Sequence, residues 1–174
     1  IVRATLLNAQ KLFRYLVNHR HMFQKMHAEI TGRETTNHPF TFVPFFEPDT
    51  NIVCFLVRPM MYTLERKLKE NDISLKWINR LNEKIYACAS ISDVKNEEHS
   101  PTSQPFYVSR TRFEAKQYSY SSMKPVLKRM RVTCTQHEYT EHGVFVLRST
   151  VMNPWYDHAE VAGMNYFSKF LKFL

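Results

Sequence analysis

The 174-residue chain carries 24 Lys and Arg against 16 Asp and Glu, a formal charge of +8, and is 44% hydrophobic and 14% aromatic. That aromatic content belongs to a packed core and excludes a disordered segment, and the length suffices for one domain. Three glycines, Gly32, Gly143 and Gly163, stand too far apart for the loop that cradles a phosphate or dinucleotide.

In chain order, Val2, Leu6, Ala9, Phe13, Leu16, Val17, Phe23, Met26 and Ile30 recur at three- and four-residue steps, which predicts an amphipathic helix over 2–30 with Gly32 as its stop. Phe40 to Phe46 alternates as a strand does. The turn formers Glu47-Pro48-Asp49-Thr50-Asn51 then reverse the chain into Ile52 to Val57, a β-branched run that Pro59 ends. The two strands predict a hairpin in an antiparallel sheet.

A helix is expected at 60–70. A second begins after Ser74, a natural cap, with Leu75, Ile78, Leu81, Ile85 and Ala89 on one stripe. Residues 93–105, with Pro101 and Pro105, read as a loop. Beyond it the pattern predicts a strand at Phe106 to Phe113, a short helix at 121–129, and strands at Arg131 to Gln136 and Gly143 to Met152. The last helix, 158–173, is capped by Asp157, with Ala162, Tyr166, Phe167, Phe170 and Leu174 on its apolar stripe. The economical architecture is α+β: a mostly antiparallel sheet with helices mainly on one face.

Side-chain chemistry alone points to no reaction. His19 and His21, two apart on a helix, diverge. His137 and His142, beside Glu138 and Glu141, do not supply the converging ligands that zinc requires, so no metal is expected. There is no Gly-x-Ser-x-Gly elbow. Cys54, Cys88 and Cys134 lie far apart with no Cys-x-x-Cys pair, which suits a reducing cytosol. No apolar run is long enough to span a bilayer. The basic cluster Lys124, Lys128, Arg129 and Arg131 reads as a solvated helix end or as a phosphate-binding patch.

Two segments carry a resemblance: Glu47-Pro48-Asp49-Thr50-Asn51-Ile52-Val53-Cys54-Phe55, and Phe145-Val146-Leu147-Arg148-Ser149-Thr150-Val151-Met152-Asn153-Pro154. Together they resemble the C-terminal region of the group II pyridoxal-phosphate (PLP) dependent amino-acid decarboxylases, whose late strand often reads apolar-Arg-x-x-x-x-Asn-Pro before a terminal helix. Asn79 to Ile85 is similar to the family's intervening helix. The likeness runs loosely over 1–174, and 95–140 looks like a family-variable insertion.

The resemblance implies that 1–174 is a single small domain, of the aspartate-aminotransferase-like fold, at the C-terminal end of a longer enzyme; the absence of an initiator Met before Ile1 fits such a piece. It implies an N-terminal large domain holding PLP on a Lys, commonly in a His-Lys pair, which no lysine here matches. PLP acts as an electron sink, and the substrate must be held so that its carboxylate bond stands across the cofactor ring. A planar cation suits that task, and by similarity Arg148 contacts the substrate carboxylate. Arg110 and Arg112, two apart on one strand, share a face and are candidates for the periphery of the active site, as is Asn153, whose first role is to shape the strand exit. A cytoplasmic homodimer follows from the same likeness, with an amino acid as substrate and with neither nucleic acid nor membrane as partner. A related PLP lyase or aminotransferase, or a basic and aromatic nucleic-acid-binding module, remain the alternatives.

Overall fold

A computed structural model describes residues 2–18, 40–59, 74–90 and 106–173. Helix α1 (Val2–Asn18) buries Thr5, Asn8, Ala9, Leu12 and Leu16, the inner stripe that the spacing demands. The remainder of the expected 2–30 helix, the 60–70 helix and the 93–105 loop lie outside the described residues.

Strands β1 (Phe40–Pro44) and β2 (Ile52–Pro59) form the expected antiparallel hairpin, from Phe40 opposite Pro59 to Pro44 opposite Phe55. Helix α2 (Leu75–Ala89) starts where Ser74 accepts the Trp77 amide. Strand β3 (Ser109–Phe113) is shorter than its alternating pattern suggested. Helices α3 (Tyr120–Arg129) and α4 (Gln136–His142), strand β4 (Val144–Thr150), and helices α5 (Tyr156–Val161) and α6 (Tyr166–Phe173) complete the chain. The sheet is antiparallel with order β1-β2-β4-β3. The α+β class and its antiparallel sheet are therefore as expected.

Two expected elements differ. Arg131 to Gln136 is not a strand. Helix α3 closes in a Schellman turn, Val132 N–H to Leu127 O and Arg131 N–H to Lys128 O, with Arg131 at φ +56°. Thr135 and Glu138 then form a reciprocal capping box that starts α4. The Thr-x-x-Glu spacing was present in the sequence and outweighs the β-like composition before it. The final helix is also broken. Gly163 at φ +80° ends α5, the Asn165 side chain accepts the Ser168 amide to start α6, and Ala162 is left exposed at the break.

Alternation along the strands builds two cores. Phe42, Val53, Phe55, Phe145 and Leu147 face α1 and α6. Leu56, Val144 and Val146 face the opposite way, against Met123 and Leu127 of α3 and Tyr139 of α4. Helices α3 and α4 thus supply a second helical layer.

The β2–β4 seam is paired only from Ile52–Thr150 to Phe55–Leu147. Continued, that register would put Val57 against Phe145; α2 enters instead. Asn82 bonds both polar groups of Val57, accepting from its N–H (2.8 Å) and donating to its C=O (2.7 Å). Asn79 accepts from Phe145 N–H and donates to Gly143 O, both at 2.9 Å. Placed i and i+3 on one helix face, the two amides replace the missing ladder. Gly143 is required beside them: a Cβ there would stand 2.7 Å from Phe113 O, at φ +58°.

Candidate functional site

Arg148 stands on β4, opposite Cys54 of β2 and Ser109 of β3. Partners across an antiparallel pair share a face, so its side chain belongs to the face of Val144 and Val146. It lies beyond the part of that face covered by α3 and α4, and is half-buried. Among the described residues its guanidinium has no hydrogen-bond or ion-pair partner. The adjacent Cys54 thiol is pushed up by burial, an effect that the Arg148 charge partly offsets. An arginine held in a strand with its planar fork unspent can take an oxyanion in bidentate fashion.

The other candidates stand differently. Arg110 and Arg112 do share a face, the one opposite to Arg148. Both lie over the Phe145 ring, at 5.8 and 5.4 Å, and Arg110 also over Tyr86 at 5.3 Å. Arg112 is engaged further: it donates to His142 O at 2.6 Å and pairs with Glu83 at 2.5 Å. The strand geometry separates these two from Arg148. The Asn153 side chain accepts the Trp155 amide at 2.9 Å and its backbone carbonyl takes the buried Asn8 amide, also at 2.9 Å, so its visible work is to shape the chain after β4. A salt bridge between Lys11 and Asp157 and an ion pair between Arg14 and Glu47 tie α1 to the same end of the sheet.

The 148–153 stretch forms one wall of a cavity of about 700 Å³, lined also by Tyr86, Phe106, Tyr156, Tyr166 and Phe170. Tyr156 stacks on Phe167 at 3.9 Å, and burial, followed by the nearby Glu160, pushes its hydroxyl up to about 12.

A tyrosine decarboxylase C-terminal family model matches residues 17–173, spanning both cores, the split seam and Arg148. The chain belongs to that family. No curated protein sequence matches it.

This decarboxylase C-terminal domain has lysines at its surface. A Schiff-base lysine has to sit desolvated in its pocket; none of the described lysines with a burial assignment is buried. These residues do not fit a PLP anchor. The sheet phenylalanines Phe42, Phe55 and Phe145 are buried. Among the described residues no three His, Cys, Asp or Glu converge, and no helix is long and apolar enough to cross a membrane. Residues that the motif reading missed are Asn79 and Asn82. The signal was available: two amides interleaved with the apolar stripe of α2, where solvent is not expected.

Proposed function

We propose that this domain is the C-terminal part of a PLP-dependent amino-acid carboxy-lyase and that Arg148 binds the substrate carboxylate, helping to close the active site. The observation that carries this reading is the half-buried, unpartnered guanidinium on β4. A structural arginine in this chain looks like Arg112, with its donors on a carbonyl and a carboxylate. The cofactor and its lysine belong to an N-terminal large domain of the parent. Docking of that domain is supported by the apolar side chains exposed after β4, Met152 at 73% and Trp155 at 65%. Helices α3 and α4 pack on the face where Arg148 stands, which supports a part for them in shaping the pocket. The parent is a homodimer in a reducing, cytoplasmic compartment, a location supported by three cysteines that form no disulfide.

The test uses the parent enzyme. Arg148→Ala should lower kcat/KM for the amino acid by about 10- to 100-fold, the worth of a charge-assisted hydrogen bond. Arg148→Lys should recover part of that loss. Inhibition by the amine product, which has no carboxylate, should be unchanged. If amine and amino acid weaken together, Arg148 supports the fold or the domain contact instead. A related lyase or aminotransferase would hold the same carboxylate without releasing carbon dioxide, so product analysis separates those readings.

A further inference from the structure

The cavity of about 700 Å³ beside the 148–153 wall is an aromatic enclosure. Tyr86, Phe106, Tyr156, Tyr166, Phe167 and Phe170 surround it, and no Asp or Glu lines it. Arg110 stands at its border: the guanidinium lies 5.3 Å over the Tyr86 ring, and the preceding residue, Ser109, also lines the cavity. From this juxtaposition we infer that the cavity is a binding site for an aromatic monocarboxylate, with the rings among the aromatic walls and the carboxylate on Arg110. The inference does not rest on the role of Arg148.

The two arginines of β3 differ in what holds them. Both lie over Phe145, but Arg112 also donates to His142 O and to Glu83, whereas Arg110 has no hydrogen-bond acceptor among the described residues. A ring contact holds a guanidinium through its charge and leaves its planar set of N–H donors open. Arg110 is exposed, so those donors are accessible to a ligand that enters from solvent, and a carboxylate matches them in bidentate fashion. One ring belongs to both parts of the site: Tyr86 borders the cavity and carries the cation, and it is itself set edge-on against Phe145 at 6.0 Å.

Volume and charge set the ligand class. A cavity of ~150 Å³ holds one benzene ring, and ordinary ligand pockets span ~300–1,000 Å³. About 700 Å³ therefore takes two fused rings with a short acid arm. Contacts between the wall rings, Phe106 with Phe170 at 5.5 Å and Tyr156 with Phe167 at 3.9 Å, fix surfaces that suit a flat apolar molecule. With no carboxylate in the lining, an ammonium group has no counter-charge there. The site thus favours an acid without an α-amino group over an amino acid.

Calorimetric titration of naphthylacetate into the full chain tests this. Saturable binding of one molecule per chain is expected, tighter by about tenfold or more than that of the uncharged naphthylacetamide or the zwitterionic naphthylglycine. Arg110→Ala should weaken naphthylacetate by about tenfold or more and leave naphthylacetamide within about twofold, since only the acid uses the cation. Arg110→Lys should recover part of the loss. Unchanged amide binding also shows that the cavity of the variant is intact. Absence of saturation, an equal loss of acid and amide in Arg110→Ala, or equal binding of naphthylglycine would overturn the proposal. So would a loss confined to Arg148→Ala, which would join the cavity to the substrate-carboxylate site. A failure of Arg148 to matter in the parent enzyme leaves these results untouched, so the two readings fail separately.

Discussion

The two halves of the β2–β4 seam handle polar groups in opposite ways. Where the strands separate, Asn79 and Asn82 satisfy the buried backbone groups of Val57, Gly143 and Phe145 that the ladder leaves unpaired. Where the strands stay paired, the ladder is complete and Arg148 rises from it with no partner among the described residues. Burial costs polar groups that stay unpaired. The saturated half is therefore a structural solution, whereas the other half leaves a guanidinium's donors unspent among the described residues.

The largest expected effect breaks the first half. Asn82 is fully buried, and Asn82→Ala strands both polar groups of Val57, at about 1–3 kcal/mol for each group left unmade. A total of about 3 kcal/mol corresponds to a Tm lower by roughly 6–12 °C in a chain of this size, readable by thermal denaturation. A drop of a degree or less would mean that water replaces the amide and that α2 is not wedged between the strands.

The next comparison sets two arginines against each other. Arg112→Ala removes a carbonyl bond, an ion pair and a ring contact, and should cost about 1–2 kcal/mol. Arg148→Ala removes no internal bond and should stay within about 0.5 kcal/mol of the parent domain. Denaturant midpoints of the two variants decide. Equal losses would make Arg148 as structural as Arg112.

The smallest effect is confined to alkaline solution. The Tyr156 hydroxyl is raised from about 10 to about 12 in the folded state, so between those values the unfolded chain has lost a proton that the fold retains. The stabilisation by neutral Tyr156 is complete below pH 10 and is lost as pH rises towards 12. Tyr156→Phe should flatten that decline. A decline of equal steepness in the variant would assign it to other groups.

Much of the fold was legible in local chemistry. The Phe40–Val57 hairpin follows from alternation around a turn-rich link, α2 from the Ser74 cap and its apolar stripe, and α3 from its short helical run. Two local signals were present and outweighed in the reading: the Thr135–Glu138 capping box and the Gly163 break, each masked by the apolar or β-like residues around it. Arg148 was legible only as part of a longer pattern, since an arginine on a strand is chemically ambiguous until its neighbours are known.

By itself, then, the sequence determined most of the described element types, the hairpin, the α+β class and the arginine on the late strand, because propensity, periodicity and capping act over a few residues. Only the tertiary structure decided that Asn79 and Asn82 replace a missing ladder, that Arg148 faces away from Arg110 and Arg112, and that Arg110 lies over Tyr86 beside an aromatic cavity. Those facts depend on strand register and on which helix packs where, and contacts between residues 25 to 66 positions apart leave no period in the chain.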